Sequence, residues 1–260
     1  MDLTIYQVDA FAENVFRGNP AAVVPLKSWL PDETLQNIAQ ENNLSETAFF
    51  IYAENGFYIR WFTPVVEVNL CGHATLATAH VLFNHLNYSE KEIKFESRSG
   101  ILRVKKEGEW LVLNFPASFV KEIEMPKKVK EAFSNTPQKC FRGRDDLMLI
   151  YRNEEDILNL NPNFQKIDEI DVRGIIVTAK SEKFDFVSRF FAPAVGVNED
   201  PVTGSAHTML IPYWSKKLNK TELTAKQVSA RGGILKCNYL NDRVEIGGKA
   251  VTYLTGTIVI

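Results

Sequence analysis

The stretch "EVNLCGHATLATAH" (Glu67 to His80) recurs, altered, as "EDPVTGSAHTML" (Glu199 to Leu210). Both open on the pattern E-x-x-[LV]-[CT]-G-[HS]-A. The match extends outward on both sides. "FYIRWFTP" (Phe57 to Pro64) faces "FVSRFFAP" (Phe186 to Pro193), and "RSGILRV" (Arg98 to Val104) faces "RGGILKC" (Arg231 to Cys237). Three landmarks in the same order, at a nearly constant spacing close to half the chain, mark two copies of one unit. The predicted fold class is α+β: two similar units in tandem, each a mostly antiparallel sheet or barrel around a central helix. The first unit is expected over residues 1–117 and the second over 118–249. The last stretch, 250–260, is read as a strand returning to the first unit.

The local patterns support that unit. "LTIYQVDAF" alternates as a strand, and "NPAAVVPL" is a short apolar strand after a Gly18-Asn19-Pro20 turn. "LPDETLQNIAQENNL" places acids in a first turn and Leu35, Ile38 and Ala39 on one face, and it stops at Asn42-Asn43, so it reads as a helix. "AFFIYAENGFYIRWF" reads as a hairpin about Glu54-Asn55-Gly56. "GHATLATAHVLFNHL" is apolar or small nearly all round, the mark of a buried helix. "FESRSGILRVKKEGEWLVLNF" reads as two strands about Glu107-Gly108. The polar, proline-bearing "PASFVKEIEMPKKVKEAFSNTP" is expected to be the crossover between copies.

Composition narrows the function. The 260 residues are 45% hydrophobic with a formal charge of -2, which suits a packed core and disfavours a nucleic-acid partner. No apolar run has the length of a membrane span, and the start "MDLTIYQVDAF" does not read as a secretory signal. Three unclustered cysteines, Cys71, Cys140 and Cys237, suit reduced thiols in the cytoplasm. The four histidines form no HExxH pair and no Cys/His cluster is apparent, so no metal is expected; nor is any other cofactor.

The repeated residues and the changed ones call for different explanations. Gly72 and Gly204 each sit at the first turn of the buried helix, where free N–H groups and the helix dipole favour an anion. Taken singly, each glycine is better explained by close packing; the repeated context reverses this and favours a small carboxylate held where the two helix starts face a cleft. Glu67 matches Glu199 between the copies and Arg60 matches Arg189, and these four read as scaffold residues, in internal ion pairs or loop anchoring. Chemistry should sit where the copies differ. Cys71 faces Thr203, His73 faces Ser205, and Asp200 faces Val68. Glu46, in "NNLSETAFF", has no carboxylate in register near Arg173 to Ile175. At the mouth of an apolar strand, burial would raise its pKa toward the acid/base range. On the residues alone, an ordinary loop acid at Glu46, a structural histidine at His73 and a turn aspartate at Asp200 remain open.

The stretches "YQVDAFAENVFRGNPAAVV", "NNLSETAFF", "RWFTPVVEVNLCGHATLA", "FFAPAVGVNEDPVTGSAH" and "RGGIL" together resemble the PhzF-like isomerases of the phenazine-biosynthesis family, within the diaminopimelate-epimerase-like fold. The resemblance implies two sheet-around-helix units with the active site in their cleft. It implies Glu46 as the catalytic acid/base, with His73 and Asp200 as catalytic partners. Substrate binding falls to Asn19, Cys71, Gly72, Thr203, Gly204 and Ser205. It further implies a proton-transfer isomerase without cofactor, acting on a small anionic carboxylate with a conjugated or enol system, and a homodimer. Two alternatives stand beside it. One is a dehydratase or epimerase of a small amino or imino acid with Cys71 as base; the two-thiol racemase version of that chemistry is disfavoured because Thr203 replaces the second thiol. The other is a non-catalytic small-molecule-binding protein.

Overall fold

A computed structural model describes residues 1–260. The chain divides into two compact units, Met1–Phe115 with Ile246–Ile260, and Pro116–Glu245. The two share one order of strand pairing around a central helix and differ in their other helices.

The first unit runs β1 (Asp2–Ala10), β2 (Asn19–Pro25), α1 (Asp32–Asn42), β3 (Glu46–Ala53), β4 (Gly56–Phe62), β5 (Glu67–Val68), α2 (Gly72–Asn84), β6 (Glu92–Ser97), β7 (Gly100–Glu107) and β8 (Trp110–Pro116). β1 pairs antiparallel with β2, and β2 parallel with β3. β4 pairs antiparallel with β3 and β5 and parallel with β6, which pairs antiparallel with β7. Each parallel join needs a crossover, and the helices supply them: α1 links β2 to β3, and α2 links β4 to β6. Asn43 ends α1 in the left-handed region, at φ 49, which asparagine tolerates.

α2 is the central helix. Ala74, Leu76, Ala77, Ala79, Val81 and Leu82 are buried along it. Thr75 and Thr78 are buried too; their hydroxyls donate to the carbonyls of Cys71 at 2.6 Å and Ala74 at 2.8 Å, so no polar group is stranded there. The helix ends at Asn84, two residues short of the predicted stretch.

The second unit runs β9 (Lys121–Ile123), α3 (Lys127–Ala132), β10 (Lys139–Arg142), β11 (Asp146–Ile150), α4 (Glu154–Leu158), α5 (Phe164–Asp168), β12 (Gly174–Lys180), β13 (Phe186–Ala192), β14 (Val197–Asp200), α6 (Gly204–Leu218), β15 (Glu222–Gln227) and β16 (Gly233–Tyr239). β10 pairs antiparallel with β11, and β11 parallel with β12. β13 pairs antiparallel with β12 and β14 and parallel with β15, which pairs antiparallel with β16. That sequence of pairings repeats the first unit's, with α6 in the place of α2. The crossover before β12 differs: α4 and α5 replace the single helix α1. Asn153 and Asn163 each cap a short helix by accepting from a backbone N–H, at 2.8 and 3.1 Å.

The remaining strands are β17 (Arg243–Gly248) and β18 (Ala250–Val259). β18 pairs antiparallel with β1 along its whole length, from Asp2↔Val259 to Ala10↔Ala250. Two local expectations need correction. The stretch from Glu92 to Pro116 holds three strands, because Ser97 and Gly100 close an extra hairpin across Arg98 and Ser99. The stretch 116–137 is no bare linker: β9 pairs with β10, and Val129 and Ala132 of α3 enter the second core.

The repeated Arg and Glu residues form the same device in each unit. Arg60 Nε and Nη2 donate to the two Glu67 carboxylate oxygens at 2.7 Å each. Arg189 does the same to Glu199 at 2.7 and 2.9 Å. Each guanidinium lies over the phenylalanine two residues on, at 5.1 Å from the Phe62 ring and 4.9 Å from the Phe191 ring. The device ties β4 to β5 and β13 to β14, the short strands that lead into the central helices.

Candidate active site

In the first unit residues from three separate stretches of the chain meet at the start of α2. Gly18 sets the turn before β2 at φ 65; a Cβ there would lie 2.1 Å from the Ala10 carbonyl oxygen, so glycine is required. That turn delivers Asn19, fully buried, as the first residue of β2. Glu46 is the first residue of β3 and lies in register with Ala21 of β2. Cys71 is the N-cap of α2, in extended conformation with no side-chain cap, and His73 stands in the first turn.

The contacts run in a chain. Glu46 Oε2 lies 3.0 Å from His73 Nε2, with the glutamate side chain 18% exposed and the histidine 7%. The approach is close enough for an ion pair, yet it is not aligned as a hydrogen bond, and Oε2 is a buried oxygen without a hydrogen-bond partner. His73 Nδ1 lies 3.2 Å from the Asn19 amide nitrogen and 3.5 Å from Cys71 Sγ. Ser45 donates to Asn19 Oδ1 at 3.4 Å.

Charges act on this chain in opposite directions. Burial works against a charged His73, but the Cys71 sulfur and the Glu46 carboxylate beside it outweigh burial and hold its pKa well above the usual imidazole value. Burial, with the Glu46 charge, pushes the Cys71 thiol up, against the pull of His73 and the Ala74 N–H.

Glu46, Cys71 and His73 also bring a carboxylate oxygen, a sulfur and a ring nitrogen within 4.8 Å of one another. Sequence spacing did not flag a metal-ligand set because it offered no HExxH pair. Yet Cys71 and His73 stand two apart, and the fold supplies the third ligand atom from β3.

The second unit builds a different helix start. Thr203 is the N-cap of α6, and its hydroxyl donates to the Asp200 carboxylate. Gln227, fully buried, accepts from the Thr203 N–H at 2.9 Å and donates to the Asp200 carbonyl at 2.7 Å. Gly204 opens the helix, and Ser205 receives a hydrogen bond from Arg173 Nη2 at 3.2 Å. Arg173 also grips the buried Asp146 through both carboxylate oxygens. Burial opposes the Arg173 charge, and Asp146 more than restores it. The register explains the missing carboxylate. Thr47 pairs with Phe62 and Ile175 with Phe191, so Gly174 stands where Glu46 stands in the first unit.

The structure brings together Asn19, Glu46, Cys71, Gly72 and His73 in one unit, and Asp200, Thr203, Gly204 and Ser205 in the other. Sequence reasoning missed Ser45, Gln227, Arg173 and Asp146. Arg173 had a trace in the sequence, since it falls beside the position where Glu46 has no counterpart. Gln227 had none, because its neighbours at Asp200 and Thr203 come from another strand and a helix start.

Residues 8–256 match the PhzC-PhzF family, described as phenazine biosynthesis-like protein. A Pseudomonas aeruginosa protein named as an uncharacterized isomerase is 51% identical over 258 residues, 99% of each chain. The crystal structure of a PhzF-family phenazine biosynthesis protein from Enterococcus faecalis superposes with a TM-score of 0.98 at 47% identity, covering 100% of both chains. At 7% identity, a hydroxyproline epimerase from Agrobacterium vitis covers 99% of this chain and 92% of its own with a TM-score of 0.66, a likeness of fold alone. With two-unit architecture, matching motifs and full-length relatives in agreement, the chain belongs to the PhzC-PhzF phenazine biosynthesis-like family and is an isomerase.

Proposed function

We propose that the protein moves a proton between two carbons of a small carboxylate whose double bonds are conjugated, with Glu46 as the shuttle. The observation that carries this reading is Glu46 Oε2: buried, 3.0 Å from His73 Nε2, and without an aligned donor. A carboxylate oxygen kept dry but unfilled has a lone pair available to a carbon-bound proton. Glu46 removes that proton, the electron pair moves through the conjugated system, and the neutral carboxylic acid returns the proton to a different carbon. The His73 imidazolium stabilises the negative charge that develops on the substrate. In the second unit, the N–H groups opening α6 at Gly204 and Ser205, with Arg173 beside Ser205, suit a small carboxylate. Asp200, ordered by Thr203 and Gln227, stands at that same helix start and can take hydroxyl or amino groups of such a ligand.

The Cys71-based dehydratase reading is weaker. Burial keeps that thiol protonated, and the equivalent helix start carries Thr203, whose hydroxyl is no base at neutral pH. The test is kinetic. Glu46→Gln keeps shape and polarity but accepts no proton, so kcat should fall at least about 10²-fold with substrate binding little changed. A folded Glu46→Gln protein with near-normal kcat would overturn the assignment.

A further inference from the structure

The same three side chains that would run the chemistry also form a site for a metal ion. We propose that Glu46, Cys71 and His73 bind one borderline divalent cation of the zinc type as a reversible occupant that is not a cofactor. The donor set is a carboxylate, a thiol and an imidazole, all within 4.8 Å of one another. Sulfur and imidazole together select zinc-like ions over magnesium or calcium, which prefer all-oxygen sites. The distances fit. A tetrahedral zinc with ordinary bond lengths separates a nitrogen from an oxygen or sulfur ligand by roughly 3.4–3.6 Å. His73 Nε2 lies 3.0 Å from Glu46 Oε2 and 3.9 Å from Cys71 Sγ, values that straddle that range. The Glu46 oxygen and the Cys71 sulfur lie within 4.8 Å of each other.

A second observation points the same way. Glu46 Oε2 is buried without an aligned hydrogen-bond donor, and a cation that displaces the proton of His73 Nε2 exchanges their 3.0 Å ion pair for a direct bond to that oxygen. The other ring nitrogen of His73 lies 3.2 Å from the buried Asn19 side-chain amide; with an ion on Nε2 the ring proton sits on Nδ1, and the amide turned to present its oxygen accepts it, as outer partners do for metal-bound histidines. Three protein ligands leave one tetrahedral position open. Of the other two cysteines, Cys140 and Cys237, neither belongs to such a cluster. The consequence for catalysis rests on the function proposed above. An ion on Oε2 occupies the lone pair that would take the substrate proton, so the occupied protein is inactive.

The experiment reads binding, not turnover, so its failure is separate from any failure of Glu46 as the proton shuttle. Chelator-treated protein is titrated with Zn²⁺ against a chromophoric chelator, and with Co²⁺ while the near-ultraviolet sulfur-to-cobalt absorption is followed. One equivalent of each should bind, and cobalt should give the sulfur band. Cys71→Ser should abolish the band and weaken Zn²⁺ at least about tenfold, and Glu46→Gln should weaken Zn²⁺ by a similar factor while keeping the band. Circular dichroism confirms that both variants are folded. No stoichiometric binding to the natural protein would overturn the proposal. So would a cobalt band that survives in Cys71→Ser, or Zn²⁺ affinity unchanged in both variants.

Discussion

At Cys71 two roles compete, and its surroundings decide between them. The thiol is buried and pushed toward its protonated form, beside a histidine pushed toward its charged form. A folded Cys71→Ala variant should therefore keep most of its kcat, with a modest loss of stability from the space left at the helix start; abolished turnover would restore the dehydratase reading. The histidines make a separate statement about pH. Burial holds His207 down at about 4, against the help of the Thr203 carbonyl, which lies 2.8 Å from Nδ1. Its unfolded value is near 6.5, so the folded state is penalised as pH falls from about 6.5 toward 4, by up to about 3 kcal/mol. His73 has the opposite sign: its contribution is complete below about 6.5 and is lost as pH rises through its higher folded value, so it adds no slope in the acid window. Denaturant unfolding at pH 7 and pH 4.5 should show the acid loss, and His207→Gln should reduce it. An equal loss in both proteins would remove His207 as its source.

Among the elements, the turn at Gly18 and the start of α2 position the site. The left-handed glycine packed against the Ala10 carbonyl is what delivers Asn19 to the ring of His73. Gly18→Ala should cost at least about 2 kcal/mol in thermal or chemical unfolding, combining left-handed strain with a steric clash. A variant as stable as the natural protein would show that the turn can be rebuilt. α6 has its own device. Pro212 has no N–H for the Thr208 carbonyl, and that carbonyl accepts instead from the Ser118 N–H at 3.0 Å, tying the first residues of the second unit to its central helix.

For the molecule as a whole, the duplication was legible because both copies keep the residues that close the same bidentate ion pair and open the same central helix. Arg60, Glu67, Arg189 and Glu199 are spelled alike because they do the same mechanical work. The third strand hidden in 92–116 was not legible, since a Ser-Arg-Ser-Gly turn carries little signal beside a run of alternating residues. The crossover at 116–137 misled for a related reason: its polar, proline-bearing composition reads as linker, while only Val129 and Ala132 of α3 mark its buried face. Glu46 could be singled out by resemblance and by its absence from the second copy. Its place against His73 depends on a parallel pairing of β2 with β3 that no local pattern encodes. The chemistry proposed needs no bound group. Purified protein should be colourless, and prolonged EDTA treatment should leave its turnover intact; stoichiometric flavin, or activity lost to EDTA and restored by metal, would refute this.

The central claim is that Glu46 carries the proton. It is tested most directly by turnover in D₂O, with the natural protein and Glu46→Gln compared on one isomerised carboxylate and the product read by NMR. The natural protein should place deuterium at the newly protonated carbon, at full or partial occupancy according to how often Glu46 returns the same proton. Glu46→Gln should show at least about a 10²-fold slower appearance of that product. Equal rates of labelled product from the two proteins would contradict the account.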